Sequence, residues 1–327
     1  MGITRKLNYA SKVMDLCIQP PPTLFKRIMI LLDIIMMNIL YDYNTDDYYL
    51  YEFYRLKLSA RRAFIGEKNG IKKIAQFLND VNDIIKFDNK IVFNKVFAKY
   101  LHRDWVSMNE CTFNEFCDFC TAHSDYIKKP IDQYGGVGIE KHTISKNTNL
   151  LELYNKLKSE NCLIEEIVIQ DKAIASFNPS SVNTCRVYSI LNKSKVIIMD
   201  AYLRMGVGDV IVDNQCSGGI AAKIDVDTGI ITTHGKDRWA KTFISHPYTN
   251  KQFIGFEIPR WVEIKKIIEE VALVVPTVRY VAWDVVINNK GDICLIEGNH
   301  NGSFSLQEAT DLQGKKKRYE KLLQDIR

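Results

Sequence analysis

The apolar positions of the last third of the chain fall into short runs bounded by turn-forming residues. Tyr280–Ile287 (YVAWDVVI) and Ile293–Asn299 (ICLIEGN) are two such runs, separated by Asn288-Asn289-Lys290-Gly291-Asp292. That composition favours a turn, so the pattern predicts two adjacent strands. Upstream, Tyr126–Pro130 predicts a short strand and Glu140–Thr143 its return, joined by the glycine-rich stretch from Asp132 to Ile139. Cys162–Gln170 is apolar except for Glu165 and Glu166 and predicts a further strand, while Trp261 to Leu273 predicts a helix.

The N-terminal third has a different character. Leu24 to Tyr41 includes the apolar run Ile28–Leu40, interrupted by Asp33 and Asn38 and shorter than the ~20 apolar residues of a membrane span. It predicts a buried or interfacial helix. Asp46 to Tyr54 is dense in aromatics and predicts the start of another. The pattern thus gives a helical region over residues 1–90 and an α+β region over 91–327, with a smaller unit at about 125–170. No Pro/Gly/Ser-rich linker separates the two, so the boundary is soft. The helical region either packs on the rest of the chain or docks on a membrane or partner.

The predicted C-terminal hairpin carries the first candidate chemistry. Residues two apart on a strand share a face, so Glu297 and Asn299 project together and Asp284 can sit opposite them. Two carboxylates and an amide oxygen in one patch suit Mg²⁺, with Mn²⁺ an alternative. Acidic residues beside a turn can equally do no more than shape it. Gly135, Gly136 and Gly138 let a backbone approach an anion and offer it N–H groups. Lys129, on the strand leading into that loop, can reach phosphate as a point charge. The loop is neither a Walker A motif nor a dinucleotide fingerprint, and an ordinary glycine-rich hairpin is the competing reading.

Composition narrows the partners. At 327 residues, 46% hydrophobic and 25% charged, the chain is an ordinary globular protein with one or two domains. A net charge of +5 is too small to argue for nucleic acid. Part of it lies in Lys315–Arg318, which reads as a solvated helix end. The eight cysteines follow no signal-peptide pattern, so reduced thiols and a cytoplasmic location, with the inner membrane surface as an alternative, are expected. Cys111, Cys117, Cys120 and His123 lack a standard zinc spacing, and helical periodicity makes them core residues instead. The polar stretch from Val212 to Gly219 can cover a site or merely connect strands. His246, before Pro247 in a loop, is read as solvated and not as a base. Oligomeric state is not readable.

Taken in order, these segments resemble the ATP-grasp superfamily, and within it the sugar-transfer-associated branch of polysaccharide biosynthesis. The closer likeness is carried by Phe177–Arg186 (FNPSSVNTCR), Val212-Asp213-Asn214, Gly218-Gly219, His246-Pro247, Trp283-Asp284 and Ile296–Asn299, within roughly residues 90 to 315. The resemblance implies an ATP-grasp fold, two α+β subdomains gripping ATP, after a mainly helical N-terminal region. It implies that Lys95 (with Lys99 the rival) and Lys129 hold phosphates, that Gly135, Gly136 and Gly138 form a flap, and that Glu165 and Val168 grip adenine. It implies Asp284, Glu297 and Asn299 as Mg²⁺ ligands, and Arg186 and Arg204 as the cations that steady a migrating phosphoryl group. Gln133 departs from the family, where many relatives place glycine. The implied reaction is ATP-dependent joining of a carboxylate to an amine through an acylphosphate, on a small-molecule or glycan-precursor substrate. The alternatives are phosphorylation of a sugar hydroxyl and a scaffold that has lost catalysis.

Overall fold

Side-chain caps and helical apolar spacing shape the N-terminal part of the computed structural model, which describes residues 3–67, 70, 72–133, 135–303 and 309–326. Eight α-helices precede the first strand among these residues: α1 (Ile3–Cys17), α2 (Leu24–Tyr41), α3 (Thr45–Leu50), α4 (Leu58–Arg61), α5 (Lys72–Leu78), α6 (Ile85–Asp88), α7 (Lys90–Val96) and α8 (Ala98–Leu101). Thr23 caps α2, whose Ile30, Ile34 and Met37 face inward. Asn44 and Asp47 close a reciprocal capping box on α3. Tyr48, Tyr49, Tyr51, Phe53 and Phe64 then fill a core with Val13 and Met14 of α1, and the predicted helical N-terminal region is present.

Two antiparallel sheets follow. The smaller is built from β1 (Trp105–Ser107), α9 (Phe113–Ala122), β2 (Asp125–Pro130), β3 (Glu140–Thr143), α10 (Leu150–Ser159) and β4 (Cys162–Glu166), in strand order β1-β4-β2-β3. Tyr126, Cys162 and Ile164 point to one face and pack with Phe116, Phe119, Tyr154 and Leu157 of α9 and α10. By strand alternation Ile127, Lys129, Leu163 and Glu165 take the other face. The strand expected over Cys162–Gln170 stops at Glu166: residues 167–169 leave the sheet, and Gln170 bridges to Asn288 of the other sheet. Gln170 also closes a buried network with Asn178, Ser181 and Asn183. That network, and not surface chemistry, accounts for much of the FNPSSVNT stretch.

After α11 (Lys172–Ala175), β5 (Cys185–Asn192), β6 (Lys195–Met205), β7 (Ile220–Ile224), β8 (Gly235–Lys236), β9 (Thr242–Phe243), α12 (Trp261–Ala272), β10 (Tyr280–Ile287) and β11 (Ile293–Asn299) complete a sheet of order β11-β10-β5-β6-β7-β8-β9. Val187, Leu203, Trp283 and Val285 pack on α12 through Trp261, Ile264 and Ile268. On the opposite face Tyr188, Tyr202 and Tyr280 pack with Ile74 and Leu78 of α5 and Tyr319 of α13 (Lys316–Ile326). Lys315 is buried beside Asp200, 3.1 Å away, and lies against the Tyr202 ring. The expectation of a solvated Lys315–Arg318 tail is therefore corrected at its first residue: a buried aspartate draws that ammonium inward. His246 is likewise buried, its Nε2 2.8 Å from the Gly206 carbonyl oxygen. Burial lowers its pKa, so it is a neutral core residue and not a solvated one.

Candidate active site

Strand pairing sets the floor of the site. Asp284 on β10 stands opposite Glu297 on β11 and Arg186 on β5. Ala282 stands opposite Asn299, so Asp284, Glu297, Asn299 and Arg186 share one face, as strand alternation requires. Gly298, between the two ligand candidates, points the other way, and a Cβ there would lie 3.0 Å from both the Phe87 and Trp283 rings. A side chain at 298 would require these two buried rings to give way by a few tenths of an ångström. A register shift next to Asp284 bulges β11 beside this row.

The electrostatics of the row are uneven. Arg186 donates Nε–H and Nη2–H to the two Asp284 oxygens at 2.8 and 2.6 Å. Arg204 donates to both at 3.2 and 3.1 Å. Burial alone would raise the Asp284 pKa, but the two guanidinium charges outweigh it and hold the carboxyl below its ordinary range. Asn299 Nδ2 reaches Asp284 at 3.5 Å. Glu297 is half-buried and makes no hydrogen bond or ion pair among the described residues. Arg204 is steadied from behind by Asp213, 3.2 Å from its Nη2, and Asp213 accepts the Thr184 N–H at 2.9 Å. Sequence reasoning had given Asp213 no such position.

The facing wall comes from the smaller sheet and from α7. Lys129 Nζ lies 2.5 Å from Glu165 Oε2. Glu165 also takes Arg103 Nε–H at 2.9 Å and Asn94 Nδ2–H at 3.1 Å. Burial opposes its ionisation, yet Arg103 and Lys129 hold its pKa far below the usual carboxylate range. The side chain is therefore spent inside the protein. What lies open along this strip is backbone: Ile167 and Val168 are half-buried, and their N–H and C=O groups take no hydrogen bond among the described residues. Arg103 donates onward to the Leu295 carbonyl at 2.5 Å, tying the β4 carboxylate to β11 of the other sheet.

Lys95 does not join this group. Its ammonium pairs with Glu110 at 2.7 Å, with both side chains more than half exposed; Lys99 lies 3.7 Å from Glu270 and is exposed too. The lysine brought to the site is Lys90, the first residue of α7. It donates to the carbonyls of Ile131 and Gln133, where the glycine loop begins. Burial lowers its pKa, partly countered by the negative charges of Glu297, Glu165 and Asp132. A signal for it did exist in the sequence: a cation at a helix N-terminus, straight after the capping Asn89, opposes the helix dipole and needs another reason to be there.

Gly135, Gly136 and Gly138 all have positive φ, 70°, 78° and 72°, which side chains rarely adopt; Tyr134 in the same loop lies outside the described residues. A Cβ at Gly136 would touch Val212 at 3.5 Å, and one at Gly135 would come 3.8 Å from Asn214. The loop of the smaller sheet thus meets the 212–214 loop of the larger one on either side of Asp213. Cys111, Cys117, Cys120 and His123 do not converge. Cys111 and Cys120 sit in the α9 core, and His123 turns to Asp104 at 2.9 Å.

The donor set fits the cation the sequence implies. Two carboxylates and an amide share one face, and one carboxylate is uncommitted. The neighbouring guanidiniums and ammoniums can meet the anionic groups such a cation accompanies.

Comparison with known proteins adds the following. A family model described as "Sugar-transfer associated ATP-grasp" matches residues 72–323. No curated protein matches. The ATP-grasp ligase PsnB, solved with a minimal precursor, Mg and ADP, is similar over 76% of this chain and 62% of its own, at 13% identity and TM-score 0.47. D-alanyl-alanine synthetase A from Vibrio cholerae is similar over 74% of this chain and 64% of its own, at 12% identity and TM-score 0.45. A RiPP-associated ATP-grasp ligase from Chryseobacterium gregarium, solved with ADP and a leader and core peptide, gives 16% identity and TM-score 0.40, over 74% of this chain and 64% of its own. The chain spans less than two thirds of the length of these structures.

Proposed function

We propose, for a chain that belongs to the sugar-transfer associated ATP-grasp family, that its cleft joins a carboxylate to an amine or similar nucleophile at the expense of ATP. One observation carries the reading. Two opposed walls, Lys90 and Lys129 on one and Asp284, Glu297, Asn299, Arg186 and Arg204 on the other, concentrate phosphate-binding cations around hard oxygen donors. The glycine loop bridges the two walls from above.

In this reading Asp284, Glu297 and Asn299 would hold Mg²⁺, which when bound neutralises phosphate charge. Lys90 and Lys129 take phosphate oxygens, and the open backbone of Ile167 and Val168 takes the edge of the base. Arg186 and Arg204 turn part of their hydrogen bonding from Asp284 to the migrating phosphoryl group, whose transfer depends on positioning and charge neutralisation. A substrate carboxylate oxygen bonds to the γ-phosphorus while the bond to the ADP oxygen breaks. The acylphosphate carbon then accepts the amine, phosphate departs, and the amine proton passes to solvent. A glycan precursor as substrate is in keeping with a family described as sugar-transfer associated, and a cytoplasmic place in polysaccharide synthesis is part of the same proposal.

Calorimetry with a non-hydrolysable ATP analogue tests the site. Binding should require Mg²⁺, fail in Lys129→Ala and Lys90→Ala, and survive in Lys95→Ala. ADP release that needs both an acid and an amine supports ligation. Release with a sugar alone would replace it by a kinase, and no nucleotide binding would remove both.

A further inference from the structure

The outer face of α2 takes no part in the cleft. Leu24, Phe25, Ile28, Met29, Leu32, Ile35, Met36, Ile39 and Leu40 are all exposed, by 37% to 75%. At about 100° per residue these side chains fall into one unbroken arc of roughly 160°. Every helix position within that arc is apolar and exposed. The buried Ile30, Ile34 and Met37 lie diametrically opposite.

The polar residues outside the arc are withdrawn from it. Asp33 is held by Arg61 at 2.8 Å and by the Tyr48 hydroxyl at 2.6 Å. Asn38 donates to the Tyr43 carbonyl at 2.9 Å, and Arg27 pairs with Asp15 on α1. Lys26, at the margin, is exposed. Residues 1–62 carry nine Lys and Arg against six Asp and Glu. Of those acids Asp15, Asp33 and Glu52 are paired with arginines and Asp47 is buried. Those pairings also occupy Arg27, Arg61 and Arg55, so the segment keeps a net positive charge, and Lys26 places one cation beside the apolar arc.

The width of the arc selects among occupants. A two-helix contact with a second copy uses a narrow seam and would leave both edges of this arc in water. A bilayer interface wets half of a helix lying in its plane, and adds attraction between surface cations and anionic headgroups. We infer that α2 is a membrane-surface helix, which lies in the interface of an anionic lipid surface with Leu32 and Ile39 near the middle of its immersed face. The inference does not depend on the reaction proposed for the cleft. Crossing the bilayer is not implied: among the described residues no helix is long and apolar enough to do so.

Flotation of the full chain with phosphatidylcholine vesicles, with and without phosphatidylglycerol, tests this. The protein should float with the vesicles, more completely when phosphatidylglycerol is present and salt is low. The double substitution Leu32→Glu/Ile39→Glu should abolish flotation while its circular dichroism melt and nucleotide binding stay unchanged, because both side chains point away from the core. Lys26→Glu should lose only the phosphatidylglycerol-dependent part. Failure of the unsubstituted chain to float, or equal flotation of the double variant, would overturn the inference. So would a solution dimer that the double variant dissolves, which would assign the face to a second copy.

Discussion

Asp284 and Glu297 face one another across β10 and β11, yet they stand in different electrostatic company. Asp284 is the counter-ion of buried Arg204 and half-buried Arg186, whereas Glu297 makes no close ion pair among the described residues and acts on Lys90 and Arg186 only at longer range. The two isosteric substitutions should therefore behave differently. Glu297→Gln should remove Mg²⁺-dependent nucleotide binding and leave urea stability unchanged. Asp284→Asn should remove the same binding and also cost about 3 kcal/mol, since it takes the carboxylate from half-buried Arg186 and leaves buried Arg204 with Asp213 alone. Equal stabilities for the two variants, measured by urea unfolding beside calorimetry, would show that Asp284 does not anchor the pair. At this scale the sequence reads well where strand alternation decides, because a period of two leaves Glu297 and Asn299 no choice of face. It reads poorly where a helix decides. Lys95 and Lys90 lie on one short helix, and only its packing against the smaller sheet shows which of them turns to the cleft.

Arg103 works between elements. Its guanidinium accepts no substitute from solvent: it lies buried between the Glu165 carboxylate on β4 and the carbonyls of Leu295 and Ile296 on β11. It thereby fixes the distance between the two walls of the cleft at the very strand that carries Glu297. Arg103→Leu should leave Glu165 with Lys129 as its one ion-pair partner, beside the Asn94 amide, and lose about 3 kcal/mol in urea unfolding. It should also weaken nucleotide binding without touching any proposed ligand. A variant with unchanged stability would mean that the pair merely fills space. This fastening was hidden in the sequence, where Glu165 stands out as an acid on an apolar strand and its partner is one arginine among many. The strands themselves were legible from their apolar runs and turns. The pairing of β10 with β5 was not, because pairing between segments about a hundred residues apart leaves no local mark.

For the molecule as a whole, buried carboxylates pull the pH dependence of stability in opposite directions. Glu165 and Asp284 have folded pKa values held down by their cations. Their contribution is fully present above the ordinary carboxylate range and is lost as pH falls from there through their lowered folded values. Asp47, in the helical N-terminal region, has the reverse sign. Burial raises its pKa from 3.8 to about 7, against the pull of the Asn44 and Glu67 backbone N–H groups. The folded state thus binds a proton that the unfolded state has released. That stabilisation is complete below 3.8 and is lost as pH rises toward about 7, a change of up to roughly 4 kcal/mol. The unsubstituted chain should therefore unfold at lower urea at pH 8 than at pH 5. Both N–H groups donate to Asp47 Oδ2, so Asp47→Asn can keep an oxygen for both and has no charge to bury; the gap between the two pH values should shrink and the variant should be the more stable protein at pH 8. An unchanged gap would place the titration elsewhere. No pattern in the sequence marks Asp47 for this. Beside Asp46 and Asn44 it reads as an ordinary helix cap, and only the aromatic core closing over α3 makes its charge costly.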